Sequence, residues 1–243
     1  MSAVNGKISA EGGVTSIDGD SSGVAAVKGS ISAPLGHAFG FQLDGLAGTA
    51  FDATFGGGTA HLFWRDPKIG LFGPIVSLGA GSGERLGWYG AEAEIYARSL
   101  TFGAWGGYHD AVDNDFGIAA NSGFYGGSVT VYPIPDLAVT IAATSAFSRV
   151  TGTSTIEYQP DLFARHNVAF YVDGAAADHS AYTVTAGIRW YFGADKLLIR
   201  RHREDDPASS AAWEAEFDSS LPPPAMAAYR TYYQAAGRYG YLP

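Results

Sequence analysis

The chain has no cysteine, so it can form no disulfide and offers no thiol nucleophile and no cysteine-based metal site. Charge is also scarce. Asp, Glu, Lys and Arg make up 16% of its 243 residues, where ordinary soluble domains carry roughly a quarter. Low charge alone would suit a helical membrane protein, but no uninterrupted run of about 18 apolar residues occurs. A signal peptide is missing too: Met1, Ser2 and Ala3 lead straight into a strand-like segment. Basic residues are outnumbered, 15 Lys and Arg against 24 Asp and Glu. The resulting net charge of −9 argues against nucleic acid as a partner.

What the chain has in quantity is glycine, 33 residues, and aromatic side chains, 14%. Alternation reconciles these features with the low charge. A strand with one apolar and one polar face averages to neutral hydropathy without any long apolar run. A soluble β-sandwich would average out as well, but with fewer glycines and more lysines. The alternation is clearest over residues 183–192. Val184, Ala186, Ile188, Trp190 and Phe192 share one face, and Thr183, Thr185, Gly187, Arg189 and Tyr191 share the other.

This stretch resembles the closing strand of bacterial outer-membrane β-barrels. The terminal signal of that family runs polar, any residue, Gly, any two residues, aromatic or apolar, any residue, aromatic. Thr185, Gly187, Trp190 and Phe192 fill those places in order. The resemblance implies an all-β fold, a closed up-and-down antiparallel transmembrane barrel in a Gram-negative outer membrane, touching lipid and lipopolysaccharide. A protein with that address crosses the inner membrane first, so the expectation is that a signal peptide has been removed from this chain.

Apolar–polar alternation and turn residues predict twelve strands near 3–14, 23–33, 38–51, 58–65, 70–80, 86–97, 99–109, 116–132, 136–147, 154–160, 167–174 and 180–192. Ten is the alternative count, because 58–65 and 154–160 are short. Connections alternate between a Gly-, Ser-, Asp- and Asn-rich set (15–22, 52–57, 81–85, 110–115, 148–153, 174–179) and a tight or proline-bearing set (34–37, 66–69, 98–99, 133–135, 161–166). An up-and-down barrel predicts this, with one rim outward and one periplasmic. Aromatics fall toward strand ends as interfacial girdles would. Phe51, Trp88, Tyr89, Tyr108, Phe116, Phe147 and Tyr182 stand near the outer rim, and Trp64, Phe72, Tyr96, Phe102, Tyr132, Trp190 and Phe192 near the inner one.

Residues 1–193 therefore read as the barrel and 194–243 as a periplasmic extension. The extension starts with a basic run, Lys196, Arg200, Arg201 and Arg203, read as a solvated linker or as a contact with anionic headgroups or peptidoglycan. A short helix over 209–217, the prolines at 222–224 and a helix over 225–236 follow. Met226, Tyr229 and Tyr233 share a face of the last helix and would contact a periplasmic protein or peptidoglycan.

Alternation turns Lys7, Glu11, Lys28, Gln42, Asp44, His61, Arg65, Glu92, Glu94, Glu157, Asp173 and Arg189 inward. A lipid-facing Arg or Lys would cost about 2–4 kcal/mol at mid-membrane. These residues line a pore or fill it as a salt-bridge lattice. Setting aside His61, acids outnumber bases six to four, which points to cations rather than to sugar acids or phosphate.

Catalytic and cofactor signals are missing. His179 and Ser180 are adjacent and point to opposite faces of a strand, with Asp178 beside them, and His109 and Asp110 are adjacent as well. Asp110, Asp113, Asn114 and Asp115 lack the spacing of a calcium loop. The glycines at 56–58 precede no helix that could hold a phosphate. The expectation is no enzyme and no cofactor. A narrow porin-like channel for small solutes ranks first, then a structural barrel with a partner-binding tail, then a lipid-modifying enzyme.

Overall fold

In a computed structural model, residues 3–17, 19–81, 84–113, 118–146, 149–160, 167–177 and 181–205 are described. Twelve antiparallel strands close into an up-and-down barrel: β1 (Asn5–Ile17), β2 (Asp20–Leu35), β3 (Phe39–Ala50), β4 (Ala53–Asp66), β5 (Gly70–Gly81), β6 (Glu84–Ala97), β7 (Leu100–Asp113), β8 (Ile118–Ile134), β9 (Leu137–Ala146), β10 (Arg149–Tyr158), β11 (Val168–Ala177) and β12 (Ala181–Phe192). Each strand pairs with its sequence neighbours, and β1 pairs with β12 from Gly6↔Phe192 to Ser16↔Tyr182. Among the described residues one short helix, α1 (Leu198–Glu204), follows the barrel.

The alternation that builds the strands also sorts their faces. Ile8, Val27, Leu43, Val76, Ile141, Val172 and Val184 point outward and are exposed, while Ser9, Glu11, Thr59, His61, Glu92, Thr144 and Thr185 are buried inside. Among described outward positions, charges occur only near strand ends, at Asp66, Arg85 and Asp110. A soluble barrel needs the opposite arrangement, with an apolar inside and a polar outside. Here the solvent that the outer face fits is lipid, where closure into a barrel satisfies every strand edge.

The connections differ from the expectation in length. Residues 56–58 belong to β4, and the β3–β4 hairpin turns on Phe51 and Asp52 alone, both at positive φ. Gly56 and Gly57, expected in the connection, serve as small strand residues. β10 likewise begins at Arg149 rather than near 154. The β4–β5 ladder skips Leu62 and Phe63 opposite Gly73 and Pro74, since Pro74 has no N–H to donate.

The girdle assignment needs correcting at three aromatics. Trp88, Tyr96 and Tyr132 are buried inside the barrel. Strand parity gives the reason: Trp88 and Tyr96 share their face of β6 with the inward Glu92 and Glu94. Tyr89, Tyr108, Phe72, Phe102, Tyr182 and Trp190 are exposed on the outer face. Phe116 and Phe147 lie outside the described residues.

Gly187 of the closing signal has a steric reason. A Cβ there would lie 2.5 Å from Tyr171 Cζ and 2.7 Å from the Ala10 carbonyl oxygen, so any side chain would push on the β1–β12 seam. Gly187→Ala is expected to destabilise the folded barrel by about 1–3 kcal/mol. Gly12→Ala, whose Cβ would meet its nearest atom at 3.6 Å, is expected to be near neutral; urea unfolding from vesicles measures both. On the outer face, Ile141→Arg at mid-strand, where Ile141 is 66% exposed, is expected to cost about 2–4 kcal/mol in the same assay. Leu35→Arg at the end of β2 is expected to cost about 1 kcal/mol or less.

Candidate functional site

The interior is the site, and paired charges organise it. On β4, His61 lies between two carboxylates: Nε2 is 2.8 Å from Asp44 of β3 and Nδ1 is 2.8 Å from Glu92 of β6. The Gln42 side-chain amide donates to both oxygens of Asp44, at 2.9 and 3.0 Å, and the Ser32 hydroxyl donates to Gln42 at 2.6 Å. On the neighbouring wall, Lys28 of β2 meets Glu11 of β1 at 3.0 Å and Asp173 of β11 at 4.0 Å. The Tyr171 hydroxyl also donates to Glu11, at 2.8 Å. Arg189 of β12 stacks on that Tyr171 ring at 4.4 Å and donates to Glu157 of β10 at 2.5 Å. The lattice therefore runs through β10, β11, β12, β1 and β2, with the His61 group on β3, β4 and β6 beside it. Desolvated charges are tolerated only with such partners.

The remaining wall is different in kind. Hydroxyl pairs stand there, Thr59 with Ser77 at 2.8 Å and Thr130 with Thr140 at 2.8 Å. Toward the far rim, Leu46, Ile75, Trp88, Trp105, Phe124, Ala142 and Ala146 pack into one apolar cluster. His109 is buried there between the rings of Trp88, at 5.0 Å, and Phe124, at 5.8 Å. Sequence reading gave His109 no interior role, although its odd parity on β7 matches the inward Trp105. Asp110 points outward, so the two form no catalytic pair. His179 and Ser180 lie outside the described residues, as do Met226, Tyr229 and Tyr233.

The expected inner-face residues are all buried or half-buried in the structure, but their surroundings differ. Lys7 is half-buried and its charge acts on Asp44. Glu94 accepts the Tyr96 hydroxyl at 2.8 Å. Arg65 stacks on Phe63 at 4.7 Å, and its three guanidinium nitrogens are buried without a hydrogen bond.

The rim that carries both barrel ends is covered by α1. Gly193, at φ +113, turns the chain back after β12, a conformation suited to glycine. The segment read as a linker is thereby brought onto the barrel as a helix. The Leu198 amide donates to Asp136 at 3.0 Å and the Ile199 amide to the Pro135 carbonyl at 2.9 Å, which fixes the helix start on the β8–β9 turn. Arg201 donates to Gln159 at 3.2 Å, to the Ala194 carbonyl at 3.3 Å and to Asn167. His202 Nδ1 lies 3.0 Å from the Tyr132 hydroxyl, and its Nε2 lies 3.6 Å from Glu157. Arg203 donates to the Leu100 carbonyl at 2.6 Å and to Thr101 at 3.3 Å, over the Tyr96 ring.

Electrostatics at this rim follow from burial and pairing. Burial pushes the Arg201 guanidinium below its ordinary value. It pushes the Asp205 carboxyl up, against the opposing bond from Lys196 at 2.6 Å. Burial would also raise Glu204, but the Arg200 and Lys196 bonds outweigh it and hold that carboxyl low.

Sequence reading missed α1 because its buried face carries Leu198 and Arg201, so hydrophobic periodicity does not mark it. Its N-cap residue, Leu197, offers no capping side chain, and the first turn has no acidic residue; the acceptor comes from Asp136, 62 residues away. Glu157 holds lattice and helix together, accepting from Arg189 and from the Tyr191 hydroxyl at 2.5 Å. Glu157→Ala leaves the buried Arg189 uncompensated and is expected to cost about 3–5 kcal/mol in urea unfolding. Replacing Glu157 and Arg189 together by Met is expected to recover most of that loss.

No family model matches the chain, and no curated protein does. Among solved structures it is similar to the KdgM porin at 12% identity and a TM-score of 0.57, over 77% of this chain and 99% of that one. A KdgM porin in complex with disordered oligogalacturonate matches at 14% identity and a TM-score of 0.56, over 78% and 99%. The NanC porin matches at 11% and 0.55, over 75% and 98%. The likeness is one of fold: this chain shares with these porins a closed up-and-down antiparallel β-barrel, and about a quarter of it lies outside the match.

Proposed function

We propose that the chain is a narrow porin-like channel for passive diffusion of small solutes across a Gram-negative outer membrane, with the α1 rim toward the periplasm. The observation that carries this reading is the inverted polarity of the barrel. Among the described residues its outer face is apolar and charge-free between the rims, and its inner face is built from charged and hydroxyl side chains. Such an inner face is a polar path through lipid whose width is set by side chains rather than by backbone. On this reading Lys7, Glu11, Lys28, Asp44, His61, Arg65, Glu92, Glu94, Glu157, Asp173 and Arg189 line the path.

The cation preference expected from counting acids is weakened by pairing. Glu11, Asp44, Glu92 and Glu157 each have a basic partner, and α1 adds Arg201, His202 and Arg203 at the terminal rim. A channel with its charges neutralised in this way sorts solutes by size more than by sign. The tail at 206–243 is proposed as the segment that reaches a periplasmic protein or peptidoglycan, and the outer face as the one that meets lipid and lipopolysaccharide. No catalytic role is proposed.

Full-length protein in proteoliposomes is expected to admit small neutral sugars and to exclude larger oligosaccharides, read as swelling rates against solute size. In planar bilayers it is expected to give discrete conductance steps with a reversal potential near zero in a salt gradient. Neither swelling nor steps, from wild type or from variants with α1 loosened, would sink the channel reading.

A further inference from the structure

We infer that α1 is a stopper the chain supplies to its own barrel: it closes the terminal rim while docked and opens it by undocking as a unit. This rests on the channel reading above. The helix lies across the opening rather than along one strand. Arg203 reaches β7 through Leu100 and Thr101, His202 reaches β8 through Tyr132 and β10 through Glu157, and the Arg201 guanidinium stacks on Tyr191 of β12 at 4.8 Å. Those anchors lie on both sides of the rim, so the helix backbone spans the space between them.

The way it is held suits a movable part. Its apolar hold is small, Leu198 at 0% exposure against Tyr132, Ala138, Ala169 and Tyr191 with Ile199 beside it, and the other attachments are polar contacts of the consecutive Arg201, His202 and Arg203. A helix of one to two turns has no stability of its own, so undocking and unwinding are a single event. Gly193, at φ +113, supplies the pivot.

The test is planar-bilayer recording on full-length protein in three forms: wild type, R201A/R203A, and a P135C/I199C pair that bridges the helix to the β8–β9 turn where the Ile199 amide meets the Pro135 carbonyl. These 243 residues contain no cysteine, so the engineered pair is the one disulfide they can form. Heat-modifiable gel mobility checks that each form is folded. The R201A/R203A form is expected to raise open probability several-fold. The oxidised bridge is expected to abolish openings, and reductant to restore wild-type behaviour in the same membrane. Equal conductance in all forms, oxidised or reduced, would overturn the stopper and leave the channel intact. Silence from every folded form, R201A/R203A included, would overturn the channel reading and the stopper with it.

Discussion

Backbone hydrogen bonding in lipid is the constraint on which the rest depends. An unpaired N–H or C=O in hydrocarbon costs several kcal/mol, so a sheet there must have no free edge. The β1–β12 ladder meets that condition with eleven residue pairs from Gly6↔Phe192 to Ser16↔Tyr182. Closure fixes which face of each strand looks out, and that in turn fixes the inverted polarity. Ile8, Ile188 and Trp190 sit side by side on the outside of this seam, and Glu11, Thr15, Thr183 and Arg189 on its inside.

Inside, the same low dielectric that makes lipid unforgiving makes each charge demand a partner. Arg189, Glu157, Tyr191 and Tyr171 form one connected set, Lys28, Glu11 and Asp173 another joined to it through Tyr171, and His61 ties Asp44 to Glu92. Buried ion pairs of this kind do little for net stability, because desolvation cancels most of the attraction. What they do is set the position of each side chain. An interior wall held in register by its charges keeps one shape, and the aromatic cluster around Trp88 and Trp105 fills the wall where charges are few.

Helix α1 extends that logic beyond the barrel. Its basic residues use acceptors that the strand ends leave over: the Leu100 carbonyl, Gln159, Asn167 and Glu157. The solved porins with this fold match over nearly their whole length, yet about a quarter of this chain lies outside the match. Among the described residues, what departs from a plain barrel is α1, held on the rim by those contacts.

Architecture was legible in the sequence because a strand's two faces are written residue by residue. Alternation determined twelve strands, the lipid face and the inward set from Lys7 to Arg189, and 183–192 marked the closing strand. Strand ends were less legible, because Gly56 and Gly57 look like a loop until Ala47 and Leu46 are found opposite them. Partner choice was not legible at all. Alternation says that His61 points inward, but only closure sets it between Asp44 and Glu92, on strands β3 and β6. Nothing local links Tyr171 to Glu11, 160 residues apart. The basic run shows the same limit: its composition describes a solvated linker or a contact with headgroups or peptidoglycan, and it becomes a helix on the rim because β7, β8, β10 and β12 gather its partners at one mouth. Periodicity is a property of the chain, whereas pairing across a lumen is a property of the closed ring.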